Sequence, residues 1–475
     1  MTTDLPYLSA TAARALFDSR ELSPVELMHA LIDRAEQVEP HVNAFCEQLF
    51  DEALVQAKEA EQRYLGRGPA PRPLEGIPVA AKEKHAIAGR SLTEGSLVNK
   101  DVVAAESAPV IERIHAAGGI IHARTTTPEF SVAGFTHTPM WGVTRNPWNL
   151  AYSPGGSSGG SAAALAAGIT PLATASDIGG STRGPAAFTG TVGYKAPYGR
   201  IPGVPPMSMD FYRGDGPMAR TVDDTILLAN MLIGPDVRDH TSLRPAITLP
   251  TEYPSVEGMR VALSIRLGCF VVEPEIEANT RAVARALETA GAIVEEIELP
   301  WTAEEIRLAV TTHFGTIMGA IVAQVAAGNE DLLTPYTRAF ATQTASARTG
   351  ATFVDGLRIE TRMHRQLAEA MSGFDALLCP TSGVSAYPAG DDMLDGIVVA
   401  GQRLDHAAEA LLTLPFNINN RCPVLAVPSG HASSGVPTGV QIVGHTYDDA
   451  TVFRVGKAVE QLRPWDYTRE HRPGV

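Results

Sequence analysis

Two glycine-serine segments separated by a short apolar run constrain this chain more than any other feature. The stretch 153–183 contains GGSSGG at 155–160 and DIGGS at 177–181. Between them lie a small-residue segment, 161–167, and an apolar run, 171–175. Because glycine has no Cβ, such segments let the backbone approach a neighbour closely and adopt dihedral angles closed to other residues. We expect these two loops to bring bare backbone N–H groups close to a ligand.

Strand and helix patterns alternate along nearly all of the 475 residues. Short apolar runs predict strands at 76–82, 119–124, 259–263, 293–299, 374–380, 422–428 and 438–444. Helical patterns lie between them, among them 104–117, 219–233, 275–290 and 448–462. No linker or tandem repeat interrupts the alternation. It predicts the α/β class: a single α/β/α layered domain over 1–475, with a central twisted mixed β-sheet covered by helices on both faces.

Two regions are predicted to lie outside a catalytic core that comprises 76–300 and 374–465. Residues 1–66 are expected to form helices that pack on this core, because SPVE at 23–26 is a capping box with proline at the first helical position. Residues 302–371 have a mostly helical pattern. We expect them to form a helical layer that shapes the substrate site.

Composition and charge exclude several classes of protein. A net charge of −15 without a basic stripe excludes binding to nucleic acid or to an anionic membrane surface. The N-terminus lacks a signal-peptide pattern and no stretch reaches 18 apolar residues, so we expect a cytoplasmic location and no membrane segment. The four cysteines have no metal-ligand spacing, which predicts free thiols and no metal site: they are Cys46, Cys269, Cys379 and Cys422.

Lys82 stands out among only six lysines because it ends a predicted apolar strand. Burial there disfavours the charged amine and lowers its pKa. A lysine that is neutral near pH 7 can act as a general base. The alternative is an ordinary strand-end lysine that forms a salt bridge, with Glu83 as the partner.

The GGSSGG segment has several interpretations. A phosphate-binding loop is excluded, since Gly160 is followed by Ser161 and not by Lys-Ser/Thr. The segment contains G-x-S-x-G twice, centred on Ser157 and on Ser158, which suggests the nucleophile elbow of an α/β-hydrolase. That motif requires a strand directly before it, and NPWN at 146–149 is not one.

The DIGGS segment can form a nest of successive backbone N–H groups that binds an anion. Its donors are those of Ile178, Gly179, Gly180 and Ser181. A hydroxyl at the last position is well placed to attack a carbonyl whose oxygen the nest holds, as in an amide-like substrate. The alternative is a plain tight turn between strand and helix.

Taken together, Lys82, GGSSGGSAAA and DIGGSTRGPAAF at these separations resemble the amidase signature family of serine hydrolases. The flanking GVTRNPWN at 142–149, GYKAPYGRIP at 193–202, and the late DALLCPT and PTGVQIVG are similar to that family as well. The resemblance extends from about residue 20 to residue 465.

The resemblance implies a hydrolase that cleaves the C–N bond of an amide, anilide or carbamate with no metal or organic cofactor. It implies that Ser181 forms the acyl-enzyme, that Ser157 and Lys82 relay the proton, and that the Gly156–Ser157 peptide bond is cis. The oxyanion is then held by the N–H groups of 178–181. Three further positions match family residues that we expect to order the two loops: Ser158, Asp177 and Arg183.

The sequence departs from the family pattern at two places. Glu83 and Lys84 stand where the family often has Asp-Asn. A Lys84 that points inward would lower the pKa of Lys82 by like-charge repulsion, but we expect it to point to solvent. Ile178 stands where the family often has a threonine. We expect this replacement to be tolerated, because the backbone N–H of this residue matters and not its side chain.

Three alternative functions stay open. The first is the glutaminase subunit of a tRNA-dependent amidotransferase, although the tyrosine-rich helical motif of such subunits is missing at 343–348. The second is a non-catalytic homologue that binds small amides. The third is a serine–histidine hydrolase built on Ser157 or Ser158, with Asp405 and one of three histidines: His406, His431 or His445.

The substrate is expected to be a small amide-like molecule, and fold and triad do not choose among amides, anilides, carbamates, ureas and esters. Specificity is expected to come from the walls at 125–145 and 302–371. We predict that Met140, Trp141 and Phe416 line the pocket, which favours a hydrophobic acyl or aryl group. The protein is expected to be a monomer or homodimer.

Overall fold

A mixed β-sheet of eleven strands forms the centre of the computed structural model, which describes residues 4–465, 467 and 471–475. Along the chain the strands are β1 (Phe45–Gln48), β2 (Pro78–Lys82), β3 (Ile120–Thr125), β4 (His137–Thr138), β5 (Gly142–Val143), β6 (Leu172–Asp177), β7 (Val192–Lys195), β8 (Gly214–Ala219), β9 (Arg260–Leu263), β10 (Ile293–Glu296), β11 (Ala376–Pro380), β12 (Ile397–Val399), β13 (Gln402–Leu404), β14 (Val424–His431) and β15 (Pro437–Gly444). The order across the sheet is β1-β3-β2-β6-β8-β7-β14-β15-β11-β9-β10, while β4-β5 and β12-β13 form small hairpins. β2 pairs in parallel with both β3 and β6, so the carboxyl ends of β2 and β6 lie at the same edge.

Helices flank the sheet and fill the segments between strands. They are α1 (Ala10–Ser19), α2 (Pro24–Val42), α3 (Phe50–Tyr64), α4 (Pro109–Ala116), α5 (Gly159–Ala166), α6 (Arg183–Thr189), α7 (Val222–Leu232), α8 (Pro274–Thr289), α9 (Ala303–Thr316), α10 (Met318–Val325), α11 (Pro335–Gly350), α12 (Phe353–Ala370), α13 (Pro415–Ile418) and α14 (Asp449–Leu462). The capping box at the start of α2 is present as predicted, with Ser23 and Glu26 as its two side chains.

The two faces of the sheet bury different cores. In β6, Leu172 belongs to the large core that includes α7 and α14, whereas the next residue, Ala173, belongs to a core of small residues that includes α5. Val79 and Ala80 of β2 alternate in the same way. This two-residue period places helices on both sides of the strands, and the alanines let α5 approach the sheet closely.

The predicted α/β/α layered domain with a central mixed sheet is confirmed. Two of the differences from the prediction lie in the first quarter of the chain. β1 interrupts the N-terminal helices and pairs with β3, and the helix predicted at 104–117 begins only at Pro109. Proline is favoured at a first helical position because its missing N–H has no intrahelical partner there, which fixes this later start.

The helices α9 to α12 form the layer predicted at 302–371 and pack on one another. In the described residues, one stretch, Ala303–Val325, is long and apolar enough to cross a membrane, with mean hydropathy 1.4, and half of it is buried inside the protein. This stretch corresponds to α9 and α10, which α11 and α12 cover. Burial of one apolar face against neighbouring helices accounts for its composition.

Candidate active site

Lys82 lies at the end of β2 with its side chain fully buried. Its Nζ is 2.7 Å from Ser157 Oγ, 2.9 Å from Ser158 Oγ and 3.1 Å from Ser176 Oγ. Burial lowers the pKa of Lys82 well below 10.5, and the positive charge of Lys84 lowers it further. The salt-bridge alternative is wrong, because the Glu83 carboxylate accepts hydrogen bonds from the backbone of Thr93 and Glu94 instead.

The GGSSGG loop leads into α5 and presents two of the three hydroxyls. The Gly156–Ser157 peptide bond is cis, as the resemblance implies. A Cβ on Gly156 would lie 2.3 Å from the carbonyl oxygen of Phe135, a distance that no side chain tolerates. Glycine at this position therefore lets the loop lie against the 125–145 wall and places Ser157 over Lys82.

Ser181 lies in the loop between β6 and α6 and lines the adjacent cavity. Its carbonyl oxygen accepts a hydrogen bond of 3.2 Å from the N–H of Ser158, so the two loops are joined through their backbones. Within the described residues, Ser181 Oγ has no hydrogen bond to Ser157 Oγ or to any other group. The structure therefore joins Lys82 to Ser157, while the link from Ser157 to Ser181 is open.

The predicted oxyanion nest at 178–181 has three available donors and one occupied donor. The N–H of Gly180 donates to Asp177 Oδ1 at 2.9 Å. In the part of the chain that the structure describes, the N–H groups of Ile178, Gly179 and Ser181 have no protein acceptor. Gly180 has a φ of 121°, and a Cβ there would lie 2.1 Å from Thr413 Oγ1, so only glycine permits this turn.

Asp177 and Arg183 form a buried ion pair that stabilises the loop between β6 and α6. Arg183 donates from Nε and Nη2 to the two Asp177 oxygens at 2.9 and 2.8 Å. Burial by itself would raise the pKa of Asp177, but the Arg183 charge and the hydrogen bonds hold it below its usual value. Asn417 bonds to both side chains, and the Arg183 Nη1 donates to Gln441 Oε1 at 2.6 Å.

Lys84 does not point freely to solvent, which corrects that expectation. It is half-buried, and burial together with the neighbouring Arg213 charge lowers its pKa. The like charge on Lys84 is in turn the second largest cause that lowers the pKa of Lys82. A Lys84 side chain that points inward therefore describes the protein better than one that points to solvent.

The cavity in front of Ser181, termed here the reaction chamber, has a volume of about 290 Å³. Its walls are mostly apolar and aromatic, and they include the backbone of the DIGGS loop. Side chains from the 125–145 wall and from α9 to α11 contribute: Phe135, Phe314, Met318, Tyr336, Phe340 and Gln343. Its one carboxylate among the described residues, Asp392, accepts a hydrogen bond of 2.7 Å from His137 Nε2.

Comparison with known proteins identifies the family of this chain. The family model described as "Amidase" matches residues 26–453. The chain belongs to the amidase family. An acylamidase of Rhodococcus erythropolis is 34% identical to this amidase, and the aligned segment covers 97% of each chain.

Further relatives of the amidase include an amidotransferase subunit and an aryl acylamidase. A glutamyl-tRNA(Gln) amidotransferase subunit of Thermosynechococcus vestitus is also 34% identical, over 94% of this chain and 96% of the relative. A solved bacterial aryl acylamidase of the amidase signature family superposes with a TM-score of 0.88 at 27% identity, covering 97% of both chains. The amidase is therefore a hydrolase that acts on carbon–nitrogen amide bonds.

Three residues predicted to line the substrate pocket of the amidase lie elsewhere, which corrects that prediction. Met140 and Trp141 belong to the β4–β5 hairpin and line neither the reaction chamber nor the cavity beside it. Phe416 is fully buried in the large core, with its ring 6.1 Å from that of Trp301. Apolar character suits a core position as well as a pocket wall, so the residue type alone could not place them.

A serine–histidine site is not formed in the described part of the amidase. Ser157 and Ser158 bond to Lys82, and no imidazole bonds to either. His431 Nδ1 lies 3.2 Å from the carbonyl oxygen of Gly435, and His445 Nε2 lies 2.7 Å from that of Phe374. His406 lines the reaction chamber without a hydrogen bond to a serine of the described residues.

Sequence reasoning missed Ser176 and the distant partners of Arg183. Ser176 lies near the carboxyl end of β6, beside the end of β2. Polar residues that end neighbouring parallel strands meet at one sheet edge, and this rule could have identified it. Asn417 and Gln441 lie more than 230 residues from Arg183, and no local pattern marks them.

Proposed function

We propose that this amidase hydrolyses small amide-like molecules through an acyl-enzyme on Ser181, with Ser157 and Lys82 as the proton relay. One observation carries the proposal: a fully buried lysine whose described hydrogen bonds go to hydroxyls and none to a carboxylate. Burial in such surroundings lowers the pKa of the amine and favours its neutral form, which can accept a proton.

The number of hydrogen bonds that a neutral amine can form matches the three contacts of Lys82 Nζ. A neutral amine has two N–H groups and one lone pair, so it donates two hydrogen bonds and accepts one. The shortest contact, 2.7 Å, is to Ser157. We assign the lone pair to the Ser157 hydroxyl, which then donates to Nζ while Ser158 and Ser176 accept.

In the proposed reaction, Ser181 Oγ attacks the substrate carbonyl carbon and its proton passes to Ser157 Oγ. The Ser157 proton passes at the same time to Lys82 Nζ. The N–H groups of Ile178, Gly179 and Ser181 stabilise the negative charge that develops on the carbonyl oxygen. The relay then returns a proton to the leaving nitrogen, the C–N bond breaks, and water hydrolyses the ester on Ser181.

The relay is completed by a rotation of a serine side chain. Ser157 and Ser181 lie on loops joined by the Ser158–Ser181 backbone hydrogen bond, so their main chains stay in place. Catalytic hydrogen bonds are often long or poorly aligned without substrate and shorten when it binds. A carbonyl held in the nest would orient Ser181 Oγ for attack and for donation to Ser157.

The apolar walls of the reaction chamber support a substrate with an aryl or alkyl acyl group. Anilides and aryl carbamates are favoured because an aromatic amine leaves more readily than an alkylamine. The names of the related acylamidases agree with this class. We also propose that the enzyme acts without a subunit of a different protein, as a monomer or homodimer. The four free cysteines support a cytoplasmic location.

The test is covalent labelling with a fluorophosphonate probe, read as the mass of the intact chain. The wild-type chain should gain one adduct, and Ser181→Ala should gain none. Lys82→Ala should slow labelling and turnover by about 10³-fold, because loss of the base stops the whole relay. Ser161→Ala is the matched control, since among the described residues the Ser161 hydroxyl bonds to Thr125 and Thr174 and not to Lys82.

Two results would contradict this assignment. An adduct on Ser181→Ala, or turnover by that variant within about tenfold of the wild type, would place the nucleophile elsewhere. Loss of labelling in Ser161→Ala at unchanged folding would show that the probe reports loop packing and not the nucleophile.

A further inference from the structure

A second cavity of about 230 Å³ lies beside the reaction chamber. The two cavities adjoin each other, because they share lining residues: Val132, Phe314, Phe340, Gln343, His406, Ala408 and Leu414. The second cavity extends away from Ser181, between α9 and the segment around Phe270.

Two phenylalanines and one leucine are among the residues that line both cavities. The rings of Phe314 and Phe340 have centroids 6.1 Å apart, and both side chains are half-buried because they face open space. A Cβ on Gly179 would lie 3.3 Å from Leu414 and 3.9 Å from Phe314. Phe314 and Leu414, which line both cavities, therefore lie beside the loop whose N–H groups are proposed to hold the substrate oxygen.

The inner part of the second cavity is apolar. Phe270, Ile306 and Val310 line it, and each is buried. Cys269 also lines it, and burial raises the pKa of this thiol to about 11, so it remains protonated. Charged groups of both signs, Arg307 and Glu409, complete the wall, which gives no preference for a charged ligand.

The volume is sufficient for an aromatic ring. An apolar cavity of about 150 Å³ in another protein binds benzene, and the space here is larger. Burial of a ring-sized group removes apolar surface of both the ring and the cavity wall from water, which favours binding. This gain is available only to a substrate long enough to extend past Phe314.

We propose that the second cavity is a substrate subsite that binds an aryl or alkyl group of an extended amide whose carbonyl reacts at Ser181. The inference rests on the proposed function and adds a substrate class to it: amides with an apolar group separated from the scissile bond by a short chain. That group belongs either to the acyl part or to the amine, and the experiment distinguishes the two.

The experiment measures kcat/KM for two substrate pairs. The acyl pair is acetanilide and 4-phenylbutyranilide, which share the leaving amine. The amine pair is N-ethylacetamide and N-(4-phenylbutyl)acetamide, which share the acetyl group. In the wild type, the longer member of one pair should have at least about tenfold higher kcat/KM, because each buried methylene contributes about tenfold or more.

Val310→Phe fills the second cavity and should remove this preference. Thr311→Phe, at a half-buried lining position, repeats the test if Val310→Phe does not fold. Leu308→Phe is the matched control, because it adds the same ring on the same helix outside both cavities. It should keep the wild-type preference.

A binding measurement separates this proposal from the proposed mechanism. In a Ser181→Ala background, calorimetry with the preferred long substrate should give a Kd that Val310→Phe weakens at least tenfold. If no amide is hydrolysed and no fluorophosphonate adduct forms, the mechanism fails while this binding result still stands. The subsite is overturned if neither pair shows a preference, or if Val310→Phe and Thr311→Phe both fold and keep it.

Discussion

At the scale of single residues, burial first and the charge of Lys84 second lower the pKa of Lys82, the proposed base. The proposed mechanism requires a neutral Lys82, so kcat/KM should fall as pH decreases through the pKa of that amine. Lys84→Gln removes a like charge that lowers this pKa, so the pKa of Lys82 should rise. We expect the acidic limb of the kcat/KM–pH profile to move to higher pH.

The control for this prediction is Lys84→Arg, which keeps the charge and should keep the acidic limb in place. Measurement of kcat/KM with one anilide from pH 5 to pH 10 gives both profiles. An unchanged limb in Lys84→Gln, or a flat profile in the wild type, would mean that Lys82 is not the titrating base.

At the scale of elements, the buried ion pair between Asp177 and Arg183 stabilises the loop between β6 and α6. Asp177→Asn would leave the Arg183 guanidinium fully buried without its anionic partner. Breaking a buried ion pair costs about 3–5 kcal/mol. We expect the free energy of unfolding in urea to fall by about 3 kcal/mol or more, together with kcat.

Thr413→Val is the matched control for this loop. It keeps the side-chain shape and removes a single hydrogen bond, from Thr413 Oγ1 to the carbonyl oxygen of Gly179 at 2.7 Å. Its expected cost is about 1–3 kcal/mol. A loss in Asp177→Asn no larger than in Thr413→Val would mean that the ion pair contributes no more than a neutral hydrogen bond.

The same elements separate what the sequence could predict from what it could not. Lys82 and the two glycine loops are local patterns, since a strand end and side-chain-poor turns dictate them within a few residues. β8, with the sequence GDGPMA, has poor strand propensity and forms because it pairs with β6 and β7. The position of Phe416 in the core depends on tertiary packing, which residue type alone does not determine.

At the scale of the whole molecule, the order of the sheet assembles the site. β2 and β6 are separated by 89 residues of chain, yet they are adjacent strands in the sheet. Their carboxyl ends lie at the same edge, which places Lys82 within hydrogen-bond distance of Ser176. α9 to α11 then cover this edge and supply Phe314, Met318 and Phe340 to the chamber. Related chains with other walls on this fold can therefore act on other amides, because function depends on the site and not on the fold.

The charge of the chamber bears on whether glutamine can be a substrate of this amidase. Glutamine has an ammonium and a carboxylate, and both must be paired when they leave water. Among the described chamber residues, Asp392 is already bonded to His137, and His406 is the one other ionisable group apart from tyrosines. A desolvation cost of about 4 kcal/mol corresponds to about 10³-fold in kcat/KM.

We therefore expect the purified chain to release ammonia from glutamine with kcat/KM at least about 10³-fold below that for 4-phenylbutyramide. This control has the same carboxamide and leaving group, and it lacks the two charges. Ammonia release is measured for the chain alone and after addition of the other subunits of a tRNA-dependent amidotransferase. Comparable rates for glutamine, or a rate that rises steeply with those subunits, would favour the glutaminase, because the missing ionic contacts would then come from the assembly.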